Sequence, residues 1–448
     1  MPQAKTLPLI LVEEGGLGAA GLDSHQRKWA AANGFTGKLG KLLPLPDAAG
    51  NLSGYVFGLG AKTGGPVLAT GIAAAMLDPG KYRLEGALGD PTYAALGFRL
   101  GSYRFDRYKS GRAAPDLVLP KGADAAEVGR LTDAAFLARD LINTPPNDLG
   151  PEAFEREIRA FAQRHRMKVK AIVGDDLLKQ NFPMIHAVGR ASAQAPRLLD
   201  LMWGRASDPK ITLVGKGVTF DTGGLDIKPA PGMLLMKKDM GGAANVLGLA
   251  HAIVDAGLKV RLRVLIAVVE NAIAGAAFRP GDILPSRSGQ TVEIGNTDAE
   301  GRLILGDALT LGDEEAPELM LDMATLTGAA RTALGPDLPP LFSTDDALAD
   351  ALLHEGLASD DPLWRMPLWA PYDKMMESKI ADVNNAGSTP FAGSITAAIF
   401  LKRFVRNAKA WVHLDIFGWA PEARPGRPFG GTDQGIRSVY RVLKQRYS

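Results

Sequence analysis

The chain contains no cysteine. That absence excludes a disulfide framework, a thiolate zinc site and a cysteine nucleophile, and it suits a reducing compartment. Nothing in the sequence approaches the roughly 18 consecutive apolar residues of a membrane span. The apolar run Leu7 to Val12 ends at Glu13-Glu14, too short for a signal-peptide core. Charge of one sign is missing too: 51 Lys and Arg stand against 49 Asp and Glu, for a net charge of +2. Such a balance creates no global field to draw in nucleic acid or anionic lipid. A cytoplasmic protein with neither membrane nor nucleic-acid partner is expected. The six histidines (His25, His165, His186, His251, His354 and His413) form no ligand pair such as His-Glu-x-x-His. No Gly-x-Ser-x-Gly elbow marks a serine hydrolase. Internal repeats and low-complexity tracts are also absent.

What is present is globular. Of 448 residues, 46% are hydrophobic and 22% charged, too long a chain for one ordinary core. Residues 1–120 are rich in Gly and Ala. Short strand-like runs lie at Leu7–Val12, Tyr55–Leu59 and Tyr93–Leu100, with a helical stretch at Gly65–Leu77. This predicts a smaller N-terminal α/β domain. A helix over about 123–141, stopped by Asn143-Thr144-Pro145-Pro146, opens the second domain, 121–448. Strand-like runs there (Lys168–Val173, Ile211–Val214, Val260–Val269, Gln290–Ile294, Leu319–Ala324, Trp411–Ile416) alternate with helical ones (Ala243–Ala256, Arg302–Asp313, Ser394–Arg406). The alternation predicts an α/β fold with a mixed, largely parallel sheet flanked by helices, and chemistry in loops beyond the strand ends.

Three such loops carry ionisable residues. Gly215 to Pro229 presents Lys216, Asp221, Asp226 and Lys228 around Gly223-Gly224. Met236 to Gly242 presents Asp239, which suits either a helix cap or a metal. Asn296 to Leu303 presents Asp298, Glu300 and Arg302; an extended backbone would point all three to one face. Four carboxylates (Asp221, Asp239, Asp298, Glu300) balance the charge of two divalent ions. Two metals roughly 3.5–4 Å apart can activate a bridging water and polarise a carbonyl. A lysine beside them could ligate only as the neutral amine. Aspartates in glycine-rich loops also serve commonly as turn and cap residues, so spacing alone leaves both readings open.

Asn296-Thr297-Asp298-Ala299-Glu300-Gly301-Arg302-Leu303 resembles the signature octapeptide of the leucine aminopeptidase (cytosol aminopeptidase) family. Lys238-Asp239-Met240-Gly241, Arg279-Pro280-Gly281-Asp282, Ala324 to Ala329, Ala392 to Ala397 and His413 to Ile416 match in the same order, so the resemblance covers roughly residues 130–420. It implies a metallo-exopeptidase with two divalent ions, zinc or manganese, held by Lys216, Asp221, Asp239, Asp298 and Glu300. It further implies a metal-bridged hydroxide as nucleophile. Lys228 would polarise the scissile carbonyl, and Arg302 would hold a bicarbonate that relays the proton. Met236, Asn296, Thr325, Leu326 and Gly328 match positions lining the site and its side-chain pocket. Peptides with a free N-terminus, preferably leucine or another neutral apolar residue, are the implied substrates, and a homohexamer the implied assembly. A second reading within the family is a DNA-binding or regulatory member with secondary peptidase activity; the balanced charge argues against it.

Departures from the family pattern are modest. Thr222 and Leu225-Asp226 stand where serine and isoleucine-serine are common, and Phe417 where alanine is usual. Asp226 matches no ligand position and is expected to be a solvated loop residue. His413 reads as a hydrogen-bonded core residue, and Lys402-Arg403, Arg406 and Lys409 as a solvated helical face. Gly16 to Gly21 matches the dinucleotide fingerprint, but no acid follows about 20 residues on. Gly60-Ala61-Lys62-Thr63 lacks glycines that a phosphate loop requires.

Overall fold

The computed structural model describes residues 5–448, and the chain divides into two compact units. Of the described residues, the first comprises 5–136 with the short returns 358–360 and 420–430. Its sheet has the order β2-β3-β1-β4-β5, from β1 (Thr6–Glu13), β2 (Leu42–Pro46), β3 (Leu52–Gly60), β4 (Lys81–Gly86) and β5 (Asp116–Val118). β1 runs parallel to both β3 and β4, while β2 is antiparallel to β3. Successive side chains of a strand point to opposite faces, and β1 uses both. Leu9 and Leu11 enter one core with Phe57, Tyr82, Ala94 and Phe98. Ile10 and Val12 enter another with Leu45, Val56, Ala30 and Phe35.

The expected strand at Tyr93–Leu100 is instead the helix Pro91–Gly101. Asp90 caps it by accepting the backbone N–H groups of Thr92 and Tyr93, and Pro91 occupies the first turn. Almost all of Ala94 to Gly101 is buried, so the helix lacks the one-sided periodicity that would have marked it. The expected helix Gly65–Leu77 is shorter, confined to Thr70–Met76.

The second unit is built on an eight-stranded sheet. Its strands are β6 (Lys168–Val173), β7 (Arg197–Trp203), β8 (Lys210–Asp221), β9 (Arg261–Asn271), β12 (Leu319–Ala324), β13 (Pro340–Ser343), β14 (Trp364–Arg365) and β16 (Ala410–Asp415). A small sheet holds β10 (Ile283–Pro285), β11 (Thr291–Glu293) and β15 (Val383–Asn384); β17 (Trp419–Ala420) pairs with β18 (Gly430–Gly431). The order of the large sheet is β14-β13-β16-β12-β8-β9-β7-β6. Its centre, β16-β12-β8-β9, is entirely parallel. These strands are buried along almost their whole length and read as near-continuous apolar runs, as strands covered on both faces do. Parallel register brings the carboxyl ends to one edge: Asp221 pairs with Asn271, and Ala324 with Asp415.

Buried carboxylates fasten the connections. Asp307 accepts from Met184 N, Ile185 N and Arg287 N, and Asp313 accepts from the backbone N–H groups of Arg406, Asn407 and Ala408. The latter stops the helix expected over Ser394–Arg406; it spans Gly393–Lys402. The basic stretch beyond is therefore not a helical face. Arg403 pairs with Asp373 at 2.6 Å. His413 is a core residue, its Nδ1 2.6 Å from Asp322 Oδ1, while Trp411 Nε1 donates to Asp322 Oδ2.

Candidate active site at the carboxyl edge of the sheet

Lys216 lies inside β8, where glycines on either side admit close neighbours. Its Nζ stands 2.9 Å from Asp239 Oδ2 and 2.8 Å from Glu300 Oε1, and donates to Thr325 O at 3.0 Å. Gly301 makes room for it. A methyl at that position would sit 2.7 Å from Lys216 Cε. At the end of β8, Asp221 Oδ1 accepts from Gly223 N and from Asn271 Nδ2, both at 2.9 Å. Asp221 Oδ2 faces Lys228 Nζ at 2.8 Å, and the same ammonium contacts Asp298 Oδ1. The loop folds back here because Gly223 adopts φ +87°; a side chain there would also collide with Asp226 O.

Asp239 caps no helix. Its Oδ1 accepts from Thr325 Oγ1 at 2.9 Å, which ties the second loop to the end of β12. The octapeptide is not extended. Asn296 Oδ1 accepts from Asp298 N at 2.7 Å in a tight turn, and Glu300 opens the helix Glu300–Asp313. One oxygen each from Asp221, Asp298 and Glu300 nevertheless lies within 4.8 Å of the others. The turn gathers the carboxylates that alternation was expected to align. Arg302 occupies the first helical turn, not the same strand face. It is buried and donates from Nη1 to Asn385 O at 2.6 Å.

The electrostatics are those of a site short of positive charge. Asp239 Oδ2, Asp298 Oδ1 and Glu300 Oε1 are buried without a hydrogen bond of normal geometry; only a lysine ammonium approaches each. Burial and then repulsion by Asp221 push the Glu300 carboxyl up to about 8 and that of Asp298 up to about 6. Burial opposes the charged forms of Lys216 and Lys228. Asp239 and Glu300 outweigh it at Lys216, and Asp221 at Lys228, so both ammoniums are held above the ordinary lysine range. Burial also opposes charge on Asp239, but Lys216 and Lys238 keep it below the ordinary value. Burial pulls Arg302 down to about 10 and Lys238 down to about 8. Oxygen-rich, buried and under-compensated, the donor set fits divalent cations.

Lys216, Asp221, Lys228, Lys238, Asp239, Asp298 and Arg302 line a cavity of about 670 Å³, together with Met236, Asn296, Thr325, Leu326 and Gly328, while Glu300 is buried behind Lys216. Four residues without a ligand's signature complete the frame. Asp226 is not a free loop residue: it accepts from Thr297 N at 2.7 Å, while its own N–H donates to Thr297 Oγ1 at 2.9 Å. Asn271 bridges Asp221 and Thr297 O, and Asn385 accepts from Gly295 N and donates to Asn296 O. Asp415 Oδ1 accepts from Leu326 N and Thr327 N, and its Oδ2 from Thr327 Oγ1. Asp415 carried a hint in sequence, at the end of an apolar strand, and Asp226 was noticed but expected to be solvated; Asn271 and Asn385 carried none.

Fold and site together define a two-unit α/β protein with a carboxylate–lysine cluster at the carboxyl edge of a parallel sheet core. Residues 136–440 match the model of the cytosol aminopeptidase family, catalytic domain, and residues 7–120 that of the M17 aminopeptidase N-terminal domain. The chain belongs to the cytosol aminopeptidase family, and its activity is that of an aminopeptidase. It is 43% identical to a probable cytosol aminopeptidase of Roseiflexus castenholzii, over 78% of this chain and 75% of the relative. To the counterpart in Methylobacterium radiotolerans it is 40% identical, over 96% and 91%. Among solved structures, the cytosol aminopeptidase of Coxiella burnetii superposes with a TM-score of 0.94 at 43% identity, covering 100% of this chain and 99% of that one. The bottromycin maturation enzyme BotP, in complex with Mn, superposes with a TM-score of 0.90 at 33% identity, covering 99% of each.

Proposed function

We propose that the protein is a metal-dependent aminopeptidase that releases N-terminal residues, leucine and other neutral apolar ones foremost, from peptides with a free N-terminus. The observation carrying this reading is the clustering of four carboxylates and two lysines, three of the carboxylates and both lysines lining one cavity, with buried carboxylate oxygens that no hydrogen bond of normal geometry satisfies. Lys216, Asp221, Asp239, Asp298 and Glu300 would hold two divalent ions, zinc or manganese; BotP, a relative in structure, has been solved with Mn. When bound, such ions supply Lewis-acid polarisation of the scissile carbonyl and acidify a water. Lys216 could ligate only after giving up the proton on Nζ, which nearby dications favour.

Lys228 Nζ, steadied by Asp221 and Asp298, donates to the oxygen on which negative charge develops. Arg302 retains a buried Nε without a hydrogen bond, suited to an anion such as bicarbonate that passes on the proton of the attacking water. Asn296 keeps Asp298 in its turn. Met236, Thr325, Leu326 and Gly328 offer the substrate side chain a largely apolar wall. The same reading assigns residues 1–120 to a smaller domain and 121–448 to the catalytic one. Cytoplasmic residence and a homohexamer belong to it through the family resemblance.

The test is hydrolysis of a panel of N-terminal residues by manganese-loaded and chelated protein. Activity abolished by chelation and restored by metal, with leucine ahead of glycine and lysine, is expected. Hydrolysis indifferent to chelation sinks the mechanism, and lysine or glycine ahead of leucine sinks the preference.

A further inference from the structure

Two cations on the wall of this cavity make no ion pair within salt-bridge distance among the described residues. Lys238 is only 5% exposed, and its Nζ lies 4.7 Å from the centre of the Phe417 ring. Arg331 places its Cζ 5.0 Å from the centre of that same ring. Neither side chain makes a hydrogen bond or an ion pair with a carboxylate among the described residues. The nearby acids are occupied. Asp415 serves Leu326 N, Thr327 N and Thr327 Oγ1, and Asp239 serves Thr325 Oγ1 and Lys216. A buried ammonium beside a second cation is costly, and an aromatic face offsets only part of that. A carboxylate brought in by a ligand would complete the arrangement.

The location points to which carboxylate. Lys238, Arg331 and Phe417 line the cavity alongside Met236, Thr325 and Gly328. The Phe417-Gly418 turn abuts Thr325: a methyl on Gly418 would lie 3.3 Å from Thr325 Cγ2. The cations thus sit beside the apolar wall that the aminopeptidase reading assigns to the substrate side chain. Phe417, absent from the usual family pattern, is what holds them there.

We infer that, beside leucine, this pocket accepts an N-terminal residue whose side chain ends in a carboxylate, glutamate well ahead of its uncharged isostere glutamine, with Lys238 and Arg331 as its specificity-determining residues. The inference rests on the aminopeptidase reading and deepens it. The methylenes of glutamate run along Met236 and Thr325, and its carboxylate meets the two cations. Leucine still fits the apolar wall, whereas N-terminal lysine is repelled.

The test uses the manganese-loaded full chain and aminoacyl-coumarin amides of leucine, glutamate, glutamine and lysine, none of which has a C-terminal carboxylate. Glutamate should exceed glutamine in kcat/KM by about 10-fold, the scale of one charge-assisted hydrogen bond. Lys238→Met should erase that ratio. Arg331→Gln, at an exposed position, should lower it by about 3-fold, and it serves if Lys238→Met does not fold. A wild-type ratio at or below one, or a ratio that neither variant moves, overturns the inference. A preference for Leu-Gly over Leu-Gly-amide that Lys238→Met abolishes, without any glutamate preference, assigns the cations to the peptide terminus and also overturns it. Failure of the wild-type, manganese-loaded chain to hydrolyse any of the four amides, leucine included, would instead overturn the aminopeptidase reading itself.

Discussion

Replacing Asp226 by alanine should weaken the site although Asp226 touches no candidate ligand. Its carboxylate accepts the N–H of Thr297 at 2.7 Å, and Thr297 is fully buried between Asn296 and Asp298. Removing the acceptor leaves a buried donor unsatisfied, at about 1–3 kcal/mol. The backbone bond from Asp226 N to Thr297 Oγ1 survives, as does Thr297 Oγ1 to Gly223 O at 2.6 Å. The turn therefore loosens without being lost. Since about 1.4 kcal/mol is a factor of ten, manganese affinity and kcat/KM on a leucine substrate should each fall about 10-fold. Asp226→Asn keeps an oxygen acceptor for Thr297 N and should stay within about 3-fold.

Metal titration followed by steady-state kinetics measures both effects. Thr297→Val removes the other half of the clamp, so the double variant should be clearly non-additive. Wild-type metal affinity and kcat/KM in Asp226→Ala would refute the clamp. Asp226 would then be the solvated loop residue that the sequence suggested.

Gly301→Ala puts a methyl 2.7 Å from Lys216 Cε and 2.8 Å from its Nζ; despite alanine's better helix propensity, about 1 kcal/mol, activity should drop at least about 100-fold, and an active variant would show that Lys216 has slack. Asp322→Ala leaves His413 and Trp411 buried without their shared acceptor, so thermal unfolding should reveal a loss of about 3–5 kcal/mol; a loss under about 1 kcal/mol contradicts the pairing. His165 is held down to about 4 by burial, then by His251 and Arg164. A neutral histidine in the fold and an ordinary one in the unfolded chain give full stability above about pH 6.5, lost as pH falls towards 4. His165→Phe should flatten the dependence of melting temperature on pH between 7 and 5, and an unchanged slope removes His165 as its source.

Much of the site was legible because a strand end and a glycine-rich loop announce where backbone can approach a ligand. Lys216, Asp221, Lys228, Asp239, Asp298 and Glu300 all lie in the three segments singled out by sequence, and these meet at one sheet edge, although Lys216 and Asp221 belong to β8, which runs on past the expected loop start at Gly215. What the sequence misrepresented was conformation. Asp298 and Glu300 converge through a turn and a helix start, not through strand alternation. A spacing of two residues admits both geometries, and the Asn296 cap that decides between them is a single side-chain hydrogen bond.

The residues whose role escaped notice share one property: they act on backbone. Asp226, Asn271, Asn385 and Asp415 bind N–H and C=O groups 26 to 90 residues away. Their partners are defined only once β8, β9, β12 and β16 lie side by side. In a one-dimensional reading, such an Asn or Asp is indistinguishable from an ordinary turn residue. A carboxylate cluster also needs this scaffold for a physical reason. Glu300 and Asp298 repel each other and Asp221 in a buried space, and the ammoniums of Lys216 and Lys228 that pair with them offset only part of that repulsion. The Thr297 clamp, the Asn385 bridge and the Asp415 bonds to Leu326 and Thr327 anchor backbone on both sides of the cluster instead. The frame therefore opposes the repulsion, and the under-compensated charge remains available to bind metal.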